Sequence, residues 1–229
     1  MRENWKDMER WHPVSVLSDI GRGEVAGVRV DGHEIVLWRE DTPAATVHAW
    51  EDRCPHRGMR LSFGFVREGG LGCLYQGWQF GGTARCRLIP AHPNVRVPAA
   101  IQVRAYTVRE QAGLAWVSLE GMEEFPASLS GPWPQVLPVR SVHVAAGAGL
   151  LRHALGMAAD AAMIWRGPVG LAVHAPVAGQ AMLHVVRAQH GPGLSPPALS
   201  RWAGRLRDGV ESGCDTAPIM GELAMGAQS

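Results

Sequence analysis

Three side chains of the types that bind transition metals stand at short spacing in two segments of the chain. The first segment reads Cys54-Pro-His-Arg-Gly and the second reads Cys73-Leu-Tyr-Gln-Gly-Trp. Cysteine thiolate and histidine imidazole are the donors that proteins commonly use for iron and zinc. Cys54, His56 and Cys73 therefore form a candidate ligand set. Gln76, three residues after Cys73, offers a carboxamide, which is a weak and neutral fourth ligand.

The chain between these segments must bring them together. Residues 61–72 read as a strand, a Glu-Gly-Gly turn at 68–70 and a second strand, a pattern typical of a β-hairpin. Such a hairpin places Cys54 and Cys73 side by side at one end of a sheet. Further short strands, rich in β-branched and aromatic residues, are predicted for residues 34–39, 45–50 and 113–119. The first half of the chain is therefore predicted to be a small antiparallel β domain.

With these motifs the chain resembles the N-terminal domain of the Rieske non-haem iron oxygenases, above all the subunits that hydroxylate or demethylate aromatic compounds. The resemblance covers residues 9–121. It is carried by residues 11–14 (Trp-His-Pro-Val), 36–39 (Val-Leu-Trp-Arg), 54–58, 73–80 (Cys-Leu-Tyr-Gln-Gly-Trp-Gln-Phe), 86–90 (Cys-Arg-Leu-Ile-Pro) and 113–117 (Gly-Leu-Ala-Trp-Val).

The resemblance implies a [2Fe–2S] cluster with Cys54, His56 and Cys73 as ligands, and it places Gln76 where the family has its second histidine. In such a centre two thiolates hold one iron and two imidazoles hold the other, which makes the cluster a one-electron relay. The residues implied to shape and cover the loops are Arg57, Gly58, Gly77 and Trp78. A ferredoxin or flavin reductase is implied as the electron donor, and related subunits commonly form trimers.

The resembling family also carries a second domain with a mononuclear iron, held by two histidines and one aspartate. The helix predicted over residues 150–165 is the candidate for this site. In the best register the family's Asn, Asp and two His fall on His153, Gly156, Ala159 and Ile164. An open iron site needs three side-chain ligands, and alanine and isoleucine provide none. We therefore expect no mononuclear iron and no catalytic residues for oxygen activation.

The domain organisation predicted from these patterns has three parts. Residues 1–121 form the Rieske-type domain, residues 122–134 form a linker rich in Pro, Gly and acidic residues, and residues 135–229 form a shortened, degenerate oxygenase-like domain. The expected fold class is mainly β, with an α+β C-terminal part.

The C-terminal part has its own predicted elements. These are a strand at 139–144, the helix at 150–165, a hairpin with strands at 170–175 and 181–187, and a last helix. Ser195 is predicted to cap the last helix and Gly213 to end it, with Arg207 and Glu211 paired on its outer face. Its apolar stripe is Leu199, Trp202, Leu206 and Val210. Residues after Cys214 are expected to lack regular structure.

The predicted hairpin also carries two histidines, His174 and His184. If its strands pair about the turn at 177–180, the two imidazoles approach each other. They are then either ordinary sheet histidines or a pair that binds a metal, the first being the usual case.

Composition limits the classes of partner. The 229 residues carry 22 Lys plus Arg and 21 Asp plus Glu, for a formal net charge of +1, which gives no electrostatic reason to expect nucleic acid or an anionic membrane as partner. No apolar run approaches the roughly 18 residues of a membrane span, and the N-terminus lacks a secretory pattern. We therefore expect a cytoplasmic protein, in which Cys86 and Cys214 are free. Zinc at Cys54, His56 and Cys73, or a disulfide between the two cysteines in the absence of a cluster, are the alternatives.

Two hypotheses for function follow. In the first, the chain is an iron–sulfur component of an oxygenase system for aromatic compounds and transfers electrons rather than activating oxygen. In the second, it is a cluster-free, non-catalytic homologue that acts as a partner subunit of an active oxygenase. The ligand set motivates the first hypothesis, and Gln76 together with the missing iron triad motivates the second.

Overall fold

The computed structural model describes residues 11–126, 129, 131, 132 and 135–225, in which antiparallel pairing builds three sheets. The strands are β1 (Trp11–Val16), β2 (Val25–Val30), β3 (His33–Arg39), β4 (Val47–Glu51), β5 (Phe65–Arg67), β6 (Gly70–Gly72), β7 (Gln79–Gly81), β8 (Cys86–Leu88), β9 (Ala105–Gln111), β10 (Leu114–Ser118), β11 (Val136–Val144), β12 (Met163–Arg166), β13 (Val169–His174) and β14 (Ala181–Ala188). The helices are α1 (Ala148–Ala154), α2 (Pro196–Ser212) and α3 (Ala217–Met225).

The largest sheet has six strands in the order β1-β10-β9-β4-β3-β2. Its strand β3 is apolar on both faces. Ile35 and Leu37 pack into one buried cluster, whereas Val36 and Trp38 pack into another, because successive side chains of a strand point to opposite faces. Because both faces of β3 are buried, the sheet lies between two packed layers at this strand. The strands predicted at 34–39 and 45–50 are confirmed as β3 and β4.

The small sheet β5-β6-β7-β8 contains the predicted hairpin, which is β5 and β6. Its two-residue turn, Glu68 and Gly69, has φ of 52° and 66°, as the twist of a tight hairpin requires. The carboxylate of Asp41 accepts the N–H groups of Glu68 and Gly69 at 3.0 and 2.7 Å, and these hydrogen bonds lower its pKa. The turn is thus held by a side chain from outside the hairpin.

Gly64 sets the path of the chain into this hairpin. A Cβ at Gly64 would lie 2.1 Å from the carbonyl oxygen of Gly72 and 2.8 Å from that of Leu61, and both are backbone atoms. Because backbone cannot move aside at low cost, we expect Gly64→Ala to reduce the free energy of unfolding by roughly 3 kcal/mol or more. Gly81→Ala is the control, since the nearest atom to its Cβ would be 3.9 Å away. Urea unfolding should separate the two variants, and equal midpoints would contradict this packing.

The third sheet, in the order β11-β14-β13-β12, packs against the helices. The predicted strand at 139–144 and the hairpin at 170–187 are confirmed, although the first strand begins earlier, at Val136. The last predicted helix is confirmed as α2: the Ser195 hydroxyl accepts the N–H of Ala198, Gly213 has a φ of 66°, and the predicted apolar stripe is buried.

Three predictions for the C-terminal part are wrong. The helix predicted over 150–165 is only α1, because Gly156 turns the chain with a φ of 63° and the guanidinium of Arg166 binds the carbonyls of Leu155 and Gly156. Arg207 forms its ion pair with its neighbour Asp208, while Glu211 accepts the N–H of Ala145 and acts on Arg207 only at longer range. The residues after Cys214 include the helix α3.

An apolar cluster joins the six-stranded sheet to the third sheet. Trp11 and Trp116 of the former pack with Ala172 and Val186 of the latter. The N–H groups of Asp31 and Gly32 also donate across the junction, to the carbonyls of residues 175 and 176 at 2.8 and 2.9 Å. The two halves therefore form one packed body in the described part of the chain.

The predicted domain limits stay predictions. The strands of the first two sheets fall between residues 11 and 118 and those of the third between 136 and 188. Of the predicted parts, residues 1–10, 127, 128, 130, 133, 134 and 226–229 lie outside the described residues. Within the described ranges, no helix has the length and apolar character needed to span a membrane.

Candidate metal centre

The two cysteine segments fold into loops with the same backbone hydrogen bonds. In each, the cysteine N–H donates to the carbonyl five residues later, at 2.8 Å for Cys54 and 2.9 Å for Cys73. The glycine four residues after each cysteine, Gly58 or Gly77, donates its N–H back to the cysteine carbonyl at 2.9 Å. These glycines have φ of 73° and 68°, values that side chains disfavour. The chain therefore presents two copies of one tight turn, each beginning with a cysteine.

The thiols of Cys54 and Cys73 are brought together as the hairpin predicted. Each residue is 2% exposed, and the two side chains belong to the same buried cluster. The pKa of the Cys54 thiol is raised to about 11, mainly by burial and also by the nearby Cys73 thiol, while the N–H groups of His56 and Arg57 oppose the shift. Both thiols are free. Metal binding at such a pair must release protons, since the thiolate is the ligand.

His56 lies in the first loop and is covered by the second. Its imidazole is stacked on the indole of Trp78, with ring centroids 4.3 Å apart and planes 9° apart. This contact fixes the orientation of the ring and links the two loops beyond the cysteine pair. The sequence implied a covering role for Trp78, but not that its partner is His56.

The fourth ligand position differs from the other three in its side chain and in its exposure. Gln76 is exposed, on the same loop as the exposed Leu74 and Tyr75. Among the described residues, no three His, Cys, Asp or Glu side chains are gathered around a single point suited to a metal ion. A [2Fe–2S] group takes its thiolates on one iron and its imidazoles on the other, so its donors need not converge on one point. The buried thiol pair and the imidazole fit that group, and the carboxamide does not match the second imidazole.

A buried carboxylate closes the base of the first loop, and the sequence analysis missed it. Asp52, 5% exposed, accepts the backbone N–H of Ser62 at 2.7 Å and its hydroxyl at 2.6 Å. These bonds tie the chain ahead of the loop to the chain behind it. An aspartate two residues ahead of the segment and a serine four residues behind it were the available signal.

The other two cysteines lie outside the loops. Cys86 is buried and its thiol contacts the carbonyl of Leu88 at 3.6 Å, while Cys214 is exposed. Both are free, as predicted.

The positions aligned with the mononuclear iron site are spread over different elements. His153 is exposed near the end of α1, Ala159 lies in the following turn, and Ile164 lies in β12. The structure does not place them on one helix.

His174 and His184 do meet, inside the third sheet. His174 Nε2 lies 3.0 Å from the carbonyl of Arg29, and His174 Nδ1 lies 3.0 Å from His184 Nε2. His184 Nδ1 lies 2.9 Å from the hydroxyl of Ser141. A carbonyl only accepts, so His174 donates to Arg29 and His184 donates to His174, which leaves His184 Nδ1 as an acceptor. The Ser141 hydroxyl lies between this nitrogen and the carboxylate of Asp19, 3.3 Å away, and its single proton is donated to one of the two. One set of neutral tautomers satisfies both contacts of His174.

This arrangement is that of satisfied sheet histidines rather than of a metal pair. The facing nitrogens are occupied by their mutual hydrogen bond. Both residues are buried, and desolvation lowers the pKa of His174 to about 4 and that of His184 well below its usual value. The first alternative from the sequence is thus confirmed. His174 also borders a cavity of about 480 Å³ between the two halves of the chain.

An antiparallel β domain that presents two facing cysteine turns, with a histidine two residues after the first cysteine, has the architecture of a Rieske-type domain. Residues 10–106 match the Rieske [2Fe-2S] domain family. The predicted resemblance to Rieske oxygenase subunits is thus confirmed for this part of the chain.

Two curated proteins are each similar to about half of this chain. Oxidoreductase NdmD of Pseudomonas putida is 38% identical over 117 residues, which are 51% of this chain and 20% of that protein. The oxygenase subunit of 3-chlorobenzoate-3,4-dioxygenase from Comamonas testosteroni is 33% identical over 120 residues, which are 52% of this chain and 27% of that protein. The chain thus spans less than a third of either curated relative.

The solved structure of NdmB from Pseudomonas putida CBB5 superposes with a TM-score of 0.65 at 17% identity, covering 92% of this chain and 83% of that one. At this identity the likeness shows the fold alone. The fold therefore extends beyond the Rieske-type domain, and the predicted fold class is confirmed.

Proposed function

We propose that the chain is the iron–sulfur component of an oxygenase system for aromatic compounds, transferring electrons rather than activating oxygen. The observation that carries this proposal is the buried pair of thiols, Cys54 and Cys73, at the start of two equivalent turns. Cys54 and Cys73 would hold one iron and His56 the other. A [2Fe–2S] group bound there supplies reversible one-electron chemistry.

The residues around the site have roles that follow from their contacts. Trp78 holds the imidazole of His56 in one orientation. The N–H groups of His56 and Arg57 act to lower the pKa of the Cys54 thiol and so favour the thiolate. Asp52 fixes both ends of the first loop. A site fixed in this way needs little rearrangement when its charge changes, which suits electron transfer.

The partners proposed follow from the relatives. We infer a ferredoxin or flavin reductase as the electron donor, and an oxygenase subunit or further copies of this chain, in a trimer, as the assembly. The relative named for 3-chlorobenzoate supports an aromatic substrate for the system. No contact with nucleic acid or membrane is proposed as part of this function.

The test is anaerobic reconstitution with iron and sulfide, followed by assay of both elements per chain. We expect about two of each in the parent protein and a near-complete loss in Cys54→Ala, because a cluster of this kind needs both thiolates. Cys86→Ala is the matched control, since Cys86 is equally a buried cysteine but lies outside the loops. Zinc without sulfide in the parent protein would contradict the proposal, as would equal loss in both variants.

The second candidate function is a cluster-free partner subunit. The exposure of Gln76 at the fourth ligand position favours it. It predicts no iron or sulfide in the parent protein after reconstitution, together with stable association with an active oxygenase subunit in size-exclusion chromatography.

A further inference from the structure

The strand β2 lies at an edge of the six-stranded sheet, and among the described residues it pairs only with β3. The register of this pair decides which backbone groups of β2 stay free. The N–H of Arg39 donates to the carbonyl of Glu24 at 3.0 Å, and the turn at 31–32 has two residues, both with positive φ. Hydrogen-bonded pairs alternate along an antiparallel ladder. The even-numbered residues of β2 therefore bond to β3, whereas the N–H and C=O groups of Gly27 and Arg29 point away from it.

The third sheet covers one end of this outer edge. His174 donates its Nε2–H to the carbonyl of Arg29 at 3.0 Å, and the carbonyls of residues 175 and 176 accept the N–H groups of the turn at 31–32. Within the described ranges of the chain, the N–H and C=O of Gly27 and the N–H of Arg29 have no partner. Beyond His174 the edge thus keeps a free row of donor, acceptor and donor.

This row borders the cavity between the two halves of the chain, since Gly27, Arg29 and His174 all line it. The cavity volume of about 480 Å³ lies in the usual range of ligand sites, roughly 300–1,000 Å³. An unpaired strand edge is a template for a further strand. An extended peptide offers acceptor, donor and acceptor at the matching spacing, so it satisfies all three free groups at once.

One face of β2 carries positive charge beside this row. The exposed Arg29 and Arg60 share the carboxylate of Glu34, and each contacts it through a single nitrogen, Nη2. Both guanidinium groups therefore keep donors for a second carboxylate. Asp52 also lines the cavity, but it is buried and its oxygens accept the N–H and hydroxyl of Ser62. This face favours an acidic side chain on the added strand.

The opposite face of β2 is apolar. Val28 packs against the buried cluster that contains Val14, and both residues line the cavity together with Met182. Successive side chains of a strand point to opposite faces, so a strand added here must carry acidic and apolar residues in alternation. We propose that the outer edge of β2 docks an extended segment of a partner protein with this alternating pattern. The docking needs only the folded chain and is independent of the metal centre.

The register also predicts which amides of the segment pair with β2. Directly opposite residues of two strands point to the same face, so the residue opposite Gly27 lies on the face of Arg29 and is acidic. Its N–H and C=O point to Gly27, whereas the amides of the apolar residues point away. Methylation of the acidic residues' nitrogens should therefore prevent docking, and methylation of the apolar residues' nitrogens should not.

The test uses a blocked, fluorescein-labelled peptide of alternating glutamate and valine as the probe, with a lysine–valine peptide as its charge control. Fluorescence anisotropy with the full chain measures binding. We expect saturable binding of the glutamate peptide, weakened about tenfold or more by N-methylation at glutamate and less than about twofold by N-methylation at valine. We expect Arg60→Glu to weaken binding about fivefold, and Arg201→Glu, the same charge change at an exposed position of α2, to change it less than about twofold.

Each arm of this experiment has a result that overturns the proposal. These results are no saturable binding of the glutamate peptide, equal binding of the lysine peptide, equal effects of the two methylation patterns, and equal effects of the two arginine variants. Self-association of the chain that the peptide dissociates would assign the edge to a second copy and overturn the partner segment. None of these outcomes depends on whether a cluster assembles, so the proposed function is tested separately.

Discussion

Replacing Gln76 with histidine is expected to raise the affinity of the chain for a [2Fe–2S] cluster by at least about tenfold, the lower end of the effect that even outer partners of metal ligands have. The expected gain in affinity comes from the change of the ligand group at position 76. An imidazole is a stronger ligand for iron than a neutral carboxamide, and Gln76 lies at the fourth position of an otherwise fitting set. Its side chain is exposed, so the change removes no core packing. Iron and sulfide retained per chain during dialysis against a chelator measure the effect.

Tyr75→His is the matched control for this experiment. It places an imidazole on the same loop, one residue away, at another exposed position. Cluster retention should remain that of the parent protein. If both histidine variants gain equally, or if neither does, position 76 is not the fourth ligand position. A parent without cluster and a Gln76→His variant with one would favour the partner-subunit function.

The stability of the protein is expected to fall as the pH is lowered from about 6.5 to about 4, because of the buried histidine pair. Burial lowers the pKa of His174 in the folded state to about 4 from an ordinary value of 6.5. In the unfolded chain His174 therefore gains a proton in this window while the folded chain does not. The stability is fully present above the unfolded pKa and declines as the pH falls. At about 1.4 kcal/mol per pKa unit, His174 alone accounts for roughly 3 kcal/mol.

Charged groups around the pair modify this dependence. His12 and Arg152 both lower the pKa of His174, which strengthens it. Asp19 reaches the pair through Ser141, and burial raises its pKa. A carboxyl group whose pKa is raised in the folded state contributes stability that increases as the pH falls. Protonation of Asp19 therefore partly offsets the stability that the histidines lose.

The measurement is urea unfolding at a series of pH values. The variant with glutamine at both 174 and 184 keeps donors and acceptors but cannot titrate, so the difference between parent and variant isolates the histidines. His143→Gln, at an exposed position, is the control and should leave the slope unchanged. Parallel stability curves for the parent and the double variant between pH 6.5 and 4 would disprove the role of the buried pair.

Local sequence pattern was sufficient where one short-range rule determines the structure. The hairpin that carries the ligand loops follows from its turn at Glu68 and Gly69, and α2 follows from its cap and apolar stripe. The pattern failed over residues 150–165, where an apolar, alanine-rich run favours a helix. There Gly156, with its φ of 63°, ends the helix, and Trp165 pairs with Gly170 as part of β12. Pairing with the adjacent strand β13, across the two-residue turn at 167–168, outweighs the helical propensity of the run.

For the site, the sequence identified the residues but not their contacts. Cys54, His56 and Cys73 are legible from spacing. The stacking of Trp78 on His56 and the bonds from Asp52 to Ser62 depend on how two loops meet, which spacing does not determine.

The most direct test of the central claim, that these two loops hold a one-electron centre, is an anaerobic reductive titration of the reconstituted protein followed by EPR. The account predicts uptake of about one electron per chain, with an EPR signal of a reduced [2Fe–2S] cluster growing in step. A reconstituted chain that takes up no electron and shows no signal at any point of the titration would contradict it.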